Sequence, residues 1–322
     1  MRIGILGSGM MGQQHLAALA TLPGLSAVTR TSPAYAGRSF PTREAFYCAL
    51  IHDPEIDAID ICLPTALHPD IALAALQAGK HVLCEKPLAL DLPACRRIVA
   101  AASRSRATFM VAHVVRFFPA YIHLAHAVRD HRYGPLLTLN LTRVSGLPSW
   151  APWLTDPSES GGAILDLLIH DFDQALALCG PPATVTASPI DSPNTLRCTL
   201  TYPTATVHIE GGWFTDGRPF AMGFRARFSQ GELLFADNQL TLTTPAYPQP
   251  IHIALPDIDP YAEQLRAFVI CCQAGAQPDS CTAADGLAAV QLSLAARSLA
   301  QRSPGIPSPF PNPEDHEFAL EQ

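Results

Sequence analysis

Short runs of β-branched and other apolar residues alternate with segments of helical period over the first third of the chain. Arg2 to Leu6, Leu25 to Thr29, Ala58 to Leu63, His81 to Cys84 and Thr108 to Ala112 read as strands. Between them, Met10 to Ala20, His68 to Ala78 and Asp91 to Ser103 read as helices; Gly79 can end the second and Asp91 can cap the third. Parallel neighbours need a crossover and the crossover is usually a helix, so this order predicts a doubly wound parallel sheet with helices on both faces. One crossover is thin, because TSPAYAGRSFP, from Thr31 to Pro41, is too rich in turn formers for a full helix.

Beyond a helix from Pro119 to Arg132 the texture changes. Leu137 to Arg143 reads as a strand and leads to a loop bearing Trp150 and Trp153, followed by a helix from Gly161 to Leu178 with Gly180 beyond its end. Alternating segments such as Thr195 to Tyr202, Ala205 to Gly211 and Ala221 to Phe228 predict a mainly antiparallel, open sheet. Two helices, Tyr261 to Ala274 and Thr282 to Arg302, precede a proline-rich tail that reads as extended or mobile. The fold class expected is α/β for residues 1–118 and α+β for residues 119–322, two domains in keeping with a chain of 322 residues.

Composition narrows the function. With 48% apolar and 15% charged residues the chain has material for packed cores and too little charge for disorder. Its net charge is −7 and no basic stripe occurs, which argues against nucleic acid or an anionic membrane as partner. No apolar run approaches the roughly 20 residues of a membrane span, and Met1 to Gly7 leads straight into a strand, so the cytoplasm is the expected location. The nine cysteines include no CxxC pair, and His123, His126 and His131 offer no convergent ligand set, so neither a disulfide framework nor a metal is expected. Of 21 basic residues only Lys80 and Lys86 are lysines.

Gly7-Ser8-Gly9-Met10-Met11-Gly12 stands where the first strand meets the first helix. Gly7 permits the turn, Gly9 lets a pyrophosphate approach bare backbone at the helix N-terminus, and Gly12 lets helix and sheet pack closely, which is a dinucleotide site. An NAD site would carry an acidic residue about 20 positions on, yet none occurs between Gly12 and Glu44. Thr29-Arg30-Thr31-Ser32 and Arg38 stand there instead and suit a 2′-phosphate, so NADP is expected, with NAD as the alternative if Arg30 and Arg38 are only solvated surface residues.

Lys86, in Cys84-Glu85-Lys86-Pro87 after the fourth strand, projects toward the crevice beyond the strand ends, where it can hydrogen-bond a substrate hydroxyl. In GGAILDLLIHDFD, Asp166 and His170 are one helical turn apart and share a face of an otherwise apolar helix, as either a proton-transferring pair or a structural hydrogen bond. His113 and Arg116 follow the fifth strand and could border the pocket or simply pack. Trp150 and Trp153 read as an apolar lid or a packed loop.

These motifs, together with Pro64-Thr65, His68, the run GKHVLCEKP and Arg116-Phe117, resemble the glucose-fructose oxidoreductase and inositol 2-dehydrogenase (Gfo/Idh/MocA) family from Gly7 to about Arg302. The resemblance implies a Rossmann domain followed by an α/β domain whose open sheet makes a homodimer or homotetramer. It implies that Lys86 is the catalytic lysine and that Asp166 and His170 are the family's acid and histidine, all three touching substrate; Arg116, Trp150 and Trp153 are expected beside them from their own positions in the sequence. Pro64, Thr65, His68 and Glu85 would lie near the nicotinamide. Leu168 replaces a residue that is commonly small in the family, which would reshape the pocket. The activity implied is an NADP-dependent oxidoreductase acting on a secondary alcohol or ketone of a sugar, cyclitol or related polyol. The rival readings are a non-catalytic dinucleotide-binding sensor and a reductase of a non-sugar ring.

Overall fold

A computed structural model gives the fold and describes residues 1–29, 31–32, 35 and 39–302. The first unit runs β1 (Arg2–Leu6), α1 (Met10–Ala20), β2 (Ser26–Val28), α2 (Arg43–Ile51), β3 (Ala58–Ile61), α3 (His68–Gln77), β4 (His81–Glu85), α4 (Leu92–Arg104) and β5 (Phe109–Ala112). The five strands are all parallel, in the order β2-β1-β3-β4-β5. The order reverses between β1 and β3, so their C-terminal ends open onto the crevice where such sheets bind ligands. Side chains of α2, α3 and α4 fill one face, with Leu50, Ala72, Ala75 and Ile98 fully buried. Thr42 caps α2 by accepting the Ala45 N–H, so the crossover that is poor in helix formers recovers a helix only from residue 43 onward.

The second unit runs α5 (Pro119–Arg129), β6 (Leu136–Gly146), α6 (Pro157–Ser160), α7 (Gly162–Asp166), α8 (Ile169–Cys179), β7 (Thr184–Pro189), β8 (Thr195–Thr201), β9 (Thr206–Phe214), β10 (Ala221–Phe228), β11 (Gly231–Ala236), β12 (Gln239–Thr244) and β13 (Tyr247–Ile253). Its eight strands lie in the order β13-β12-β11-β10-β6-β9-β8-β7, antiparallel except for the β6·β9 pair. Inward positions such as Leu139, Leu196, Ile209 and Phe224 pack against α5 and α8, while outward positions carry Thr199, His208, Glu210, Arg225 and Arg227. Two helices close the described chain, α9 (Pro260–Ala274) and α10 (Ala283–Arg302). Leu265 and Phe268 of α9 join Ile3, Ile5 and Leu19 on the other face of the first sheet, and α10 packs between the two units against α4, α8 and β7. The proline-rich tail, like Arg30 and Arg38, lies outside the described residues. No helix among the described residues is long and apolar enough to cross a membrane.

The helix expected as one piece from Gly161 to Leu178 is two. α7 ends at Asp166, and Leu167 and Leu168 turn the chain before α8 starts at Ile169. Asp166 therefore sits at a helix end and His170 in the first turn of the next helix.

Candidate active site

The β1 to α1 turn has the geometry an anion needs. Gly7 adopts φ +117°, and a Cβ there would lie 2.2 Å from the Cys62 carbonyl oxygen. Gly9 is the N-cap of α1, no side chain caps it, and a Cβ on it would meet nothing within 4 Å. The helix's first N–H groups thus face open space. A Cβ on Gly12 would stand 2.2 Å from the Gly7 carbonyl oxygen, so the closeness of α1 to the sheet depends on that glycine. Gly12→Ala is expected to push the turn outward and weaken dinucleotide binding at least about tenfold, a change that titration of cofactor fluorescence would detect. Retained affinity would contradict this reading of the turn.

This turn forms one wall of a cavity of about 880 Å³, within the upper range of ligand clefts. Its floor lies at the strand ends, with Cys62 and Pro64 after β3 and Glu85 and Lys86 at and after β4. Its far wall comes from the second unit, where Trp150, Trp153 and Asp166 reach across. Trp150 remains 57% exposed, as a lid residue would be, whereas Trp153 packs partly into the small cluster of Leu154, Ala163 and Trp213.

Lys86 is the point of closure between the units. Its Nζ donates to the Asp166 carbonyl at 2.7 Å and lies 3.0 Å from the Asp166 Oδ1 carboxylate oxygen. The carboxylate at the end of α7 thus faces the lysine, and among the described residues no hydrogen bond joins Asp166 to His170. His170 is half-buried, its Nδ1 is shut in without a partner, and Nε2 is the ring nitrogen left open. Burial holds its pKa well below the ordinary imidazole value, helped by the positive charges of Lys86 and Arg143 and by His113. Its neutral form is thereby favoured, and a neutral imidazole can accept a proton.

Other expected site residues divide. Gly7, Gly9, Met10, Met11, Gly12, Thr31, Pro64 and Glu85 line the cleft. Thr65 and His68 are fully buried behind it. His68 Nε2 meets the Leu63 carbonyl at 2.8 Å and Nδ1 the Pro87 carbonyl at 2.9 Å, so the ring ties the loops after β3 and β4 together instead of touching a ligand. Ser32 turns its hydroxyl back to accept the Thr29 N–H at 2.8 Å. Arg116 is corrected outright: it is held by Asp173 through two hydrogen bonds, at 2.9 and 2.6 Å, with Ser280 and Asp285 beside it, and it lies outside the cleft. Leu168 is likewise removed from the pocket, being fully buried with Ile164 and Phe172 in the core of the second unit.

Three features went unread in the sequence. Arg143 and Asp171 form a buried pair at 2.8 and 3.2 Å beneath His170; the signal was a charged residue at an inward strand position facing another on an apolar helix. Arg43 and Glu44, at the start of α2, line the cleft near Thr29 and Thr31, because the shortened crossover leaves that helix end open. His15, Asp60 and Glu85 meet in the interior, and Asp60 stands out in Ala58-Ile59-Asp60-Ile61 as the one charge in a buried strand.

Comparison with known proteins matches the two units in turn. Residues 1–113 match the model described as "Oxidoreductase family, NAD-binding Rossmann fold" and residues 121–233 match "GFO/IDH/MocA C-terminal domain". The chain belongs to the Gfo/Idh/MocA family. This Gfo/Idh/MocA protein is 36% identical over 197 residues to an inositol 2-dehydrogenase of Rhizobium meliloti (strain 1021), covering 58% of each chain. It is 29% identical over 210 residues to a levoglucosan dehydrogenase of Pseudarthrobacter phenanthrenivorans, covering 58% of this chain and 53% of that one. The match spans little more than half the length of these relatives. Among solved structures, levoglucosan dehydrogenase in complex with NADH and levoglucosan superposes with a TM-score of 0.80 at 22% identity over 94% of this chain and 97% of that one, which shows the shared fold. A putative myo-inositol dehydrogenase from Sinorhizobium meliloti 1021 gives 0.74 at 26% identity over 94% and 98%.

Proposed function

We propose that this Gfo/Idh/MocA protein is a dinucleotide-dependent oxidoreductase that interconverts a secondary alcohol and a ketone in a sugar, cyclitol or related polyol. The observation that carries this reading is the closure of Lys86 from the first unit on Asp166 from the second in a cleft that begins at an uncapped, glycine-walled helix N-terminus; His170 stands just outside the residues that line the cleft, near enough for its ring to feel the charge of Lys86. The relatives named as inositol and levoglucosan dehydrogenases support the polyol class.

The nicotinamide, when bound, supplies the two-electron acceptor or donor, taking a hydride from the carbinol carbon or returning it. The chain's residues do the rest. The open N-terminus of α1 and the bare backbone of Gly9 hold the pyrophosphate. Lys86 Nζ, aimed by Asp166, binds the substrate oxygen and favours its negative charge as the C–H bond breaks. His170 Nε2 accepts the hydroxyl proton on oxidation and gives it back on reduction. Trp150 and Trp153 exclude water and present apolar rings to the less polar face of a sugar.

The cofactor form we favour is NADP, on the absence of an acid between Gly12 and Glu44, on Arg30 and Arg38 in the sequence between them, and on Arg43, which lines the cleft. A second reading, NAD, rests on Glu44, whose carboxylate lines the cleft; its own backbone N–H and Thr42 hold its pKa below the usual range. Glu44→Gln separates them. With a 2′-phosphate beside it the variant binds NADPH about threefold or more tightly than the parent, since like charges no longer oppose; with ribose hydroxyls held by Glu44, NADH binding weakens instead. Among the described residues the outer, polar face of the eight-stranded sheet presents exposed side chains such as Arg225 and Arg227, and we propose it as the contact with a second copy. The function itself is tested by assaying a polyol panel with both cofactors, and tight cofactor binding without turnover of any member would favour the sensor reading.

A further inference from the structure

On the α1 and α9 side of the first sheet one polar group interrupts an apolar interior. His15 of α1 is fully buried between Asp60 of β3, also fully buried, and Glu85 of β4, 4% exposed. Nδ1 of His15 lies 2.8 Å from Asp60 Oδ2, a hydrogen bond, and Nε2 lies 3.2 Å from Glu85 Oε1, an ion-pair approach off the ideal hydrogen-bond line. A neutral imidazole has one N–H and one lone pair, so it would turn a lone pair on one of two buried carboxylates. Only the doubly protonated ring offers a donor to both. The other oxygen of Glu85, Oε2, accepts the backbone N–H of Lys86 at 3.1 Å. The carboxylate thus has one oxygen hydrogen-bonded to the residue that closes the cleft and the other facing the ring on the helix that opens it.

The same corner could be taken for a metal site, because Cys62 Sγ stands 3.5 Å from both His15 Nδ1 and Asp60 Oδ1. The His15 to Asp60 separation argues otherwise. Two ligands at about 2.0–2.1 Å around a tetrahedral zinc stand about 3.3 Å or more apart, whereas 2.8 Å is the length of an N–H···O bond.

We propose that His15 is a permanently protonated bridge and a positioning residue: it holds Glu85 ionised at the nicotinamide end of the cleft, so that the cleft favours the oxidised, cationic ring over the reduced, neutral one. This rests on the dinucleotide reading of the cleft. Glu85 belongs to that end because it closes β4, two strands beyond the glycine turn of β1, and lines the cavity beside Lys86. Electrostatics agree with the geometry: burial pushes the His15 ring down, but Asp60 and Cys62 outweigh it and leave the pKa well above the ordinary value. Burial likewise raises Glu85, and His15 with Lys86 brings it below the usual range. The titratable groups facing this pair are Cys62 after β3, His68 of α3, Cys84 and Lys86 around the end of β4, His113 after β5 and Tyr261 of α9.

Two measurements test it. In the intact protein, the 15N shifts of the His15 ring are expected to be those of imidazolium at pH 7, where a ring of ordinary pKa near 6.5 is mostly neutral; neutral-ring shifts at that pH overturn the bridge. Affinities for the oxidised and reduced cofactor are then compared in the parent, His15→Gln and the near-isosteric Glu85→Gln. Both variants are expected to lose about tenfold in the ratio favouring the oxidised form. In His15→Gln that ratio also becomes pH dependent, falling as acid protonates Glu85, which loss of packing alone would not produce. Both forms binding with the parent's ratio in both variants overturns the proposal. If the parent binds neither form, the dinucleotide reading falls and the ring preference falls with it, while the 15N shifts still decide the charge of His15.

Discussion

Lys86→Ala is expected to lower kcat by about 10²- to 10³-fold, the usual cost of deleting one preorganised donor to a developing oxyanion, while cofactor affinity changes by no more than a few fold. Nζ bonds the carbonyl and carboxylate of Asp166 across the cleft and is the one lysine amine there, since Lys80 is committed to the carbonyls of Asp53 and Ile56. A substrate oxygen placed against Nζ exchanges water for a fixed positive charge in a partly dry site, where that charge acts more strongly than in bulk. Lys86→Arg should rescue little, because the fork is longer and planar and cannot reproduce a point donor in the same space. Steady-state rates together with cofactor titration check this: an equal loss of cofactor affinity would make Lys86 a binding residue, and an unchanged kcat would remove it from the chemistry.

Removing the imidazole is expected to cost about 10²- to 10⁴-fold in kcat, the range for a positioned general base. His170→Gln should behave like His170→Ala, because an amide can hydrogen-bond the hydroxyl but cannot take its proton. The pH profile carries a sign. His170 is a base whose pKa burial and neighbouring positive charge hold well below the ordinary imidazole value, so it is expected to stay neutral and competent to lower pH than an ordinary imidazole. Alcohol oxidation should then persist to more acid pH than a histidine of ordinary pKa near 6.5 would allow, and the acid limb should vanish in the His170 variants. The same low basicity limits the proton-transfer driving force, which fits a reaction in which Lys86 has already acidified the hydroxyl.

How far the sequence foretold this site follows from the range of the forces involved. The GSGMMG turn was readable because its requirements are local: a Cβ at Gly7 or Gly12 collides with backbone a few residues away or on the adjoining strand. Strand limits at Arg2–Leu6 and Ala221–Phe228 agree with the alternation that predicts them. The break at Leu167 was not readable, since Ile164 to Ile169 are mostly helix formers and only the tertiary bond from Lys86 to the Asp166 carbonyl shows why a helix end there is useful. Arg116 misled for a similar reason: its partner Asp173 is 57 positions away, and nothing local reveals that the guanidinium is already engaged. His15 was passed over because one histidine on a helix is ordinary, although Asp60, a carboxylate in a four-residue strand buried at every position, required a partner.

An amine from the first unit and an imidazole from the second are expected to address the same ring in the cleft. A crystal structure with oxidised dinucleotide and a polyol bound tests it most directly. The expected result has the pyrophosphate at the N-terminus of α1, the nicotinamide over Glu85, and one substrate hydroxyl within hydrogen-bond reach of both Lys86 Nζ and His170 Nε2, its carbon facing C4 of the ring. A nicotinamide lying outside the cleft, or a substrate oxygen out of reach of either side chain, would contradict it.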